Sequence, residues 1–421
     1  MKLHLSLAIF LLWGLIQANA QDKSSAKFGK IVPEDFAPKV YSVDSNANAV
    51  IIADIGSSKI VGNNKGWFSL EFKHYCRARL LNKNGFDLAT DKILLYSVGD
   101  KEEKLLDFKA ATYNLENGKV VSTPLDKENI FKEKLTKNLE VRKFTFPNIK
   151  EGSIIEFEYT VNSDYLHYLR AWSFQGDYPR LWSEYNVTIP AFFNYMVLSQ
   201  GYEKFFIQDK KTFTDNFNVV QSNGVEASNF ITISNANVGS YRWVVKDIPA
   251  LRGESFVSTI DNHIQKIDFV LVSQTEPLQP FSYMSSWPQK TEDLMNDEDF
   301  GLSLSKDNGW LGDVVKPAMI GATSMLEKAK RIYAFARDNL TCTDYSDIWL
   351  GQSLKNVLKT KNGSVADINL LLVAMLRYAG IPADPVLLST RDNGYTYPPS
   401  PILSRFNYVI CCATINGKQI L

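Results

Sequence analysis

The residues able to do covalent or acid–base chemistry are few. The cysteines are Cys76, Cys342, Cys411 and Cys412, and the histidines are His4, His74, His167 and His263. A thiol becomes a nucleophile only as the thiolate, which needs a base or a positive local field. No histidine follows His263, so the three later cysteines have no imidazole near them in sequence. Cys411 and Cys412 are adjacent in an apolar run that reads as a strand, so they point to opposite faces, and a bond between them would be strained. No C-x-x-C pair exists, so zinc has no sequence support. Asp344 and Asp347 flank Tyr345 without metal-loop spacing and read as a solvated turn. Ser364 opens an apolar run with Asp367 three residues on, which reads as a helix cap rather than a nucleophile. Neither a metal nor another cofactor is expected.

The elements that must position these groups change in character near residue 275. From about 40 to 275 the signals are for strands. In Trp67 to Leu81, residues Phe68, Leu70, Phe72, His74, Cys76, Ala78 and Leu80 share one face, while Ser69, Glu71, Lys73, Tyr75, Arg77 and Arg79 share the other. That is a half-buried antiparallel strand, and Asn84-Gly85 after it is a tight-turn signal. Asn117-Gly118 marks a second hairpin. Further strands are expected at 155–161, 185–189, 241–245 and 267–272. Many strands with regular turns predict an antiparallel β-sandwich, in one or two subdomains, over residues 21–275. A linker with short helices is expected over 276–314.

From 315 to 421 the period becomes helical and the order is α+β. Ser324 to Glu327 is a capping box, and Leu326, Ala329, Tyr333, Ala336 and Leu340 recur on one helix face. Ser353–Thr360 reads as a short helix. Ile368 to Ala379 is apolar almost all round and predicts a buried helix, ended by Gly380 and Pro382. Pro385–Ser389 and Phe406–Thr414 read as strands, with an Asn416-Gly417 turn after the second.

The run Gly363-Ser364-Val365-Ala366-Asp367-Ile368, leading to Arg377 and Gly380-Ile381-Pro382-Ala383, resembles the core of the transglutaminase-like superfamily, in which G-x-C-x-D/E opens the central helix. The likeness covers roughly residues 315–421. It implies a papain-like α+β domain whose Cys position falls on Val365 and whose His position falls on Tyr408. The family's Asp would come shortly after Leu421, which implies a domain truncated at its C-terminus. The preceding β-region, through Gly152-Ser153-Ile154-Ile155-Glu156-Phe157 and the Trp172 stretch, looks like the uncharacterised bacterial domain often found before such domains. The resemblance thus implies a non-catalytic protein whose groove would be surrounded by Ser364, Asp367, Arg391 and Asn407. An active peptidase or amide-transfer enzyme with non-standard groups, and a purely structural envelope protein, are the alternatives.

Composition bounds the rest. The chain has 421 residues, 45% of them apolar, with 46 basic and 46 acidic side chains. Net neutrality argues against a nucleic-acid partner, leaving a protein, peptide or glycan. Residues 1–20 read as a signal peptide: Lys2, an apolar run from Leu5 to Ile16, then Ala18-Asn19-Ala20. The run is short for a bilayer span, which needs about 20 residues, and no later stretch is long and apolar enough, so no transmembrane segment is expected after signal removal. Export to the periplasm, the cell surface or the medium follows. N-terminal sequencing of the exported protein should therefore read from Gln21; a membrane-bound chain that keeps Met1 would overturn this.

Overall fold

The structure, a computed structural model, describes residues 23–63, 65–99, 101–135, 138–222, 228–254 and 257–421; the signal sequence lies outside the described residues. The chain forms two compact units. One spans residues up to 255 together with 263–283, and the other spans 256–262 together with 284–421.

The alternation in Phe68–Leu80 makes it a central strand of the first unit. It pairs antiparallel with Ala49–Gly62 on one side and with Ile154–Ser163 on the other. Outward from Ala49–Gly62 come Arg180–Pro190, Ser228–Ile248 and Ile207–Ser222; outward from Ile154–Ser163 come Lys101–Glu116, Thr90–Val98, Leu139–Thr145 and Ile130–Lys134. A smaller sheet holds Phe193–Gln200, Lys266–Gln274, Phe281–Ser282 and Trp172–Ser173. The two sheets pack through aromatic rings. Phe68 meets Phe193 edge-on at 5.2 Å, and Trp172 stacks on Tyr185 at 5.1 Å. The predicted sandwich is therefore present, and its core is this aromatic layer.

Three local expectations are corrected. Ala49–Gly62 pairs with Arg180–Pro190 in parallel, from Ile51 opposite Arg180 to Lys59 opposite Thr188, so the large sheet is not wholly antiparallel. A parallel partner requires a long crossover, and nothing in short-range alternation records one. Asn84-Gly85 does not close a hairpin. It lies in a 3-10 turn, Lys83–Ala89, whose start is held by Asn82 accepting from the Asn84 N–H, and the chain then leaves for a distant position in the sheet. Arg77 and Arg79, assigned to the polar face, are each 7% exposed. The segment 27–37 crosses that face. Arg77 donates to the carbonyls of Lys27 and Lys30, and Arg79 to those of Asp35, Phe36 and Ala37. Glu156 neutralises Arg77 at 2.7 Å and also accepts from Gly29 N–H and the Tyr75 hydroxyl.

The second unit contains helices Trp287–Met295, Leu302–Ser305, Gly312–Ala318, Met325–Asn339, Leu354–Thr360 and Val365–Tyr378. A sheet of Ala383–Leu388, Tyr408–Ile415 and Lys418–Ile420 and a short parallel pair, Thr341–Asp344 with Asn362–Ser364, complete it. Residues 284–314 are no mere spacer: Leu294, Phe300, Leu304 and Leu311 are buried in this unit's core with Ile332 and the central helix. No helix among the described residues is long and apolar enough to cross a membrane.

A second buried charge cluster lies inside the sandwich. Asp54 accepts from His74 Nε2 at 2.7 Å and from Arg180 Nη1 at 2.7 Å, and His74 Nδ1 meets the Tyr159 hydroxyl at 3.1 Å. Burial favours the neutral acid, but the Arg180 charge, followed by the His74 bond, outweighs it and holds the Asp54 carboxyl below its usual range. A depressed carboxyl stabilises the fold above its unfolded pKa of about 3.9, and that contribution is lost as pH falls through the folded value. Asp54→Asn should cost about 3–5 kcal/mol near neutrality by leaving Arg180 uncompensated. In urea titrations it should also show a shallower loss of stability with acid than the wild type; an unchanged acid slope would place the sensitivity elsewhere.

Candidate functional site

The centre of the second unit is the helix Val365–Tyr378. Ser364 is its N-cap: Ser364 Oγ accepts from Asp367 N at 3.1 Å, and Asp367 Oδ2 accepts from Ser364 N at 2.9 Å. This is the reciprocal capping box that the sequence predicts. The other Asp367 oxygen accepts from Gly351 N at 2.9 Å and Gln352 N at 3.4 Å, so one carboxylate holds three backbone groups. Gly363 is required beside it, because a Cβ there would lie 2.7 Å from Asp367 Cβ. From Leu370 to Leu376 every residue is buried. The helix ends in paired bonds, Gly380 N to Arg377 O and Ile381 N to Leu376 O, with Gly380 at φ +75°. That left-handed cap is the one the Gly380-Ile381-Pro382 run predicts.

Val365 occupies the first helical turn and is 2% exposed. A thiolate here would sit at the positive end of the helix. Instead an aliphatic side chain packs inward, and the negative charge at this pole is the internal carboxylate of Asp367. Tyr408 opens the strand Tyr408–Ile415, opposite Leu388, and is half-buried. Its neighbour Asn407 is a junction: its Oδ1 accepts from Thr390 N at 2.9 Å, and its Nδ2 donates to Thr390 Oγ1 at 2.9 Å and to Ser346 Oγ at 3.4 Å.

The structure therefore brings together Ser364, Val365 and Asp367, and it ties Asn407 to the loop after Asp344, itself paired with Ser364. It does not bring Arg391 into this set by hydrogen bonding. Arg391 donates to the Val257 carbonyl at 2.7 Å, and Tyr395 N nearby donates to Asn262 Oδ1, so this loop clasps the segment 257–262 of its own unit. Asp367 is 3% exposed and engaged on both oxygens, which makes it a brace for the site rather than a group free to meet a ligand.

Sequence reasoning missed one neighbour. Cys342 lies on the strand Thr341–Asp344, directly opposite Gly363 and two residues from the Val365 position. The β-branched Thr341 and Thr343 around it are the only local signal for that strand. Its Sγ donates to the Asp344 carbonyl at 3.2 Å. Partial burial raises its pKa; a backbone hydrogen bond at Asp344 opposes this, and the Asp344 and Asp367 carboxylates add to it, so the thiol form is favoured. Cys411 and Cys412 are both buried, and burial pushes the Cys411 thiol up to about 12. All four cysteines are free.

Residues 313–406 match the transglutaminase-like superfamily, so the second unit carries a transglutaminase-like domain. Among solved structures, the chain is similar to a candidate protease from Parabacteroides distasonis, with TM-score 0.55 and 14% identity over 88% of this chain and 66% of that one. The chain thus spans just under two thirds of that protein, and the likeness is one of fold. A candidate nutrient-binding protein from Legionella pneumophila (TM-score 0.20, 7% identity, 70% and 82% of the two chains) and an M1 zinc metallopeptidase from Deinococcus radiodurans (TM-score 0.17, 10% identity, 51% and 46%) match too weakly to bear on this chain. No curated protein matches it.

The division of labour at the helix start is testable. Ser364→Ala should cost about 1 kcal/mol, the usual loss of an N-cap. Asp367→Ala should cost about 3 kcal/mol or more, because three backbone N–H groups lose their acceptor. Denaturant midpoints check both; equal costs would show that Asp367 braces nothing beyond the cap.

Proposed function

We propose that this is an exported transglutaminase-like protein without thiol catalysis, acting in binding or assembly at the bacterial cell envelope. The observation that carries the reading is the occupancy of the helix N-terminus. Where this fold would place a thiolate stands buried Val365, and the positive pole faces the carboxylate of Asp367. The base is absent as well: Tyr408 stands at the histidine position, and a phenol lacks the basic ring nitrogen through which an imidazole accepts a proton. A protein, peptide or glycan would then be held along a groove near Ser364, Asn407 and Tyr408, and released unchanged. The leader sequence, with its small-residue cleavage site, supports export.

A second reading, an enzyme with a displaced nucleophile, draws on Cys342 opposite Gly363. Its protonated state and the lack of an imidazole after His263 weigh against it.

The wild-type protein should show no amide hydrolysis or amine incorporation that iodoacetamide abolishes. Val365→Cys alone should stay equally inert. Val365→Cys combined with Tyr408→His should give a thiol alkylated about tenfold faster or more at neutral pH than in the single variant, as an imidazole partner lowers its pKa. Alkylation-sensitive turnover by the wild type would overturn the reading. An unreactive thiol in a folded double variant would show that the two positions do not face each other.

A further inference from the structure

The first unit holds a pocket of about 210 Å³ whose walls are unlike those of a packing defect. Trp67 and Tyr283 supply ring surface to it, and Lys65, Asp164, Lys101 and His167 supply its polar groups. Both rings are held before any ligand arrives. Trp67 sits edge-on to Phe68 at 5.5 Å, and its turn is fixed by Asn63 Oδ1, which accepts from Lys65 N and Trp67 N. The Tyr283 hydroxyl donates to Gln274 Oε1 at 2.7 Å. Each ring is nevertheless 39% exposed. Fixed aromatic surface left open beside polar groups is the composition of a binding site, since ordering it costs nothing on association.

The polar groups narrow the ligand. Asp164 accepts from Lys65 Nζ at 2.6 Å and from Ser69 Oγ at 3.1 Å; these bonds overcome partial burial and keep its carboxyl below the usual range. This pair offers a donor and an acceptor side by side, the complement of vicinal hydroxyls. Lys65 is thereby balanced, whereas among the described residues no carboxylate bonds to Lys101 or His167. Burial, helped by the Lys101 charge, depresses the His167 pKa and favours the neutral imidazole, so an anion lodged between the two would pair with Lys101 and accept a hydrogen bond from the His167 ring N–H. The volume is below the roughly 300–1,000 Å³ of drug-sized sites and suits one ring rather than a chain. A simple aromatic acid would satisfy the rings, Lys101 and His167 but would cover the remaining donors and acceptors of the Lys65–Asp164 pair without replacing their water, at a cost.

We propose that this pocket binds a single acidic sugar of the uronic-acid class, its C–H face on Trp67 and Tyr283, its hydroxyls on Lys65 and Asp164 and its carboxylate between Lys101 and His167. The proposal concerns the β unit alone and stands or falls separately from the reading of the C-terminal groove.

The test titrates the full mature chain with glucuronate, glucose and benzoate by calorimetry and saturation-transfer NMR. Glucuronate should bind with a Kd of about 1 mM or tighter, and glucose and benzoate at least about tenfold more weakly. Binding should strengthen as pH falls from about 8 to about 6, because the bound carboxylate favours protonated His167. Trp67→Ala should stay folded by circular dichroism at the titration temperature and lose binding, and Lys101→Met should erase the preference for glucuronate over glucose. No saturable binding of glucuronate up to about 10 mM, equal affinity for glucose, or benzoate binding as tightly as glucuronate would each overturn the proposal.

Discussion

The second unit depends on one buried carboxylate. Asp367 sits at the start of an apolar helix and accepts from the backbone of Ser364, Gly351 and Gln352. An ionised group can be buried only where such donors surround it, so its presence dictates the local chain path. The loop at 351–352 must approach the helix start, Gly363 must lack a side chain, and the strand Asn362–Ser364 must enter at one angle. The parallel partner Thr341–Asp344 follows from that, and it sets Cys342 opposite Gly363. The same carboxylate fills the favourable end of the helix dipole with a fixed charge. Its charge also adds to the burial that raises the pKa of the neighbouring Cys342 thiol.

The first unit solves a related problem twice. Its strands are too long and too aromatic to leave charged residues in water on every alternate position. Arg77 and Glu156 are sealed under the segment 27–37, and Asp54, His74 and Arg180 are sealed beside Trp172. Each cation has a carboxylate or several carbonyls that offset much of the desolvation cost, although Arg180 Nε stays buried without a hydrogen-bond partner. These clusters fix the register of Phe68–Leu80 from both of its faces, which apolar alternation alone does from one.

The ionisable chemistry is therefore distributed unevenly. All the histidines among the described residues lie in the β unit, where His74 is locked between an acid and a phenol and His167 lines a polar pocket. The transglutaminase-like domain has a capped, buried central helix and an antiparallel sheet, with Val365 in the first turn of that helix and Tyr408 at the start of a strand. Its polar side chains, Ser364, Asn407 and Thr390, are spent on each other and on backbone.

How much of this is legible in the sequence depends on the range of the interaction concerned. The capped central helix is readable because every signal lies within a few residues: Ser364 and Asp367 at one end, Gly380 and Pro382 at the other, and near-continuous apolarity between. The long strand at 68–80 and the Asn117-Gly118 hairpin are readable for the same reason, as period and turn chemistry are local. What only the tertiary structure decides involves partners far apart in the chain. The parallel join of Ala49–Gly62 to Arg180–Pro190, the burial of Arg77 and Arg79 under a segment some forty residues earlier, the diversion of Arg391 to Val257 and the placement of Cys342 against Gly363 all leave local composition unchanged. Charge and polarity specify that such groups need partners, and only the folded path of the chain selects which partners they receive.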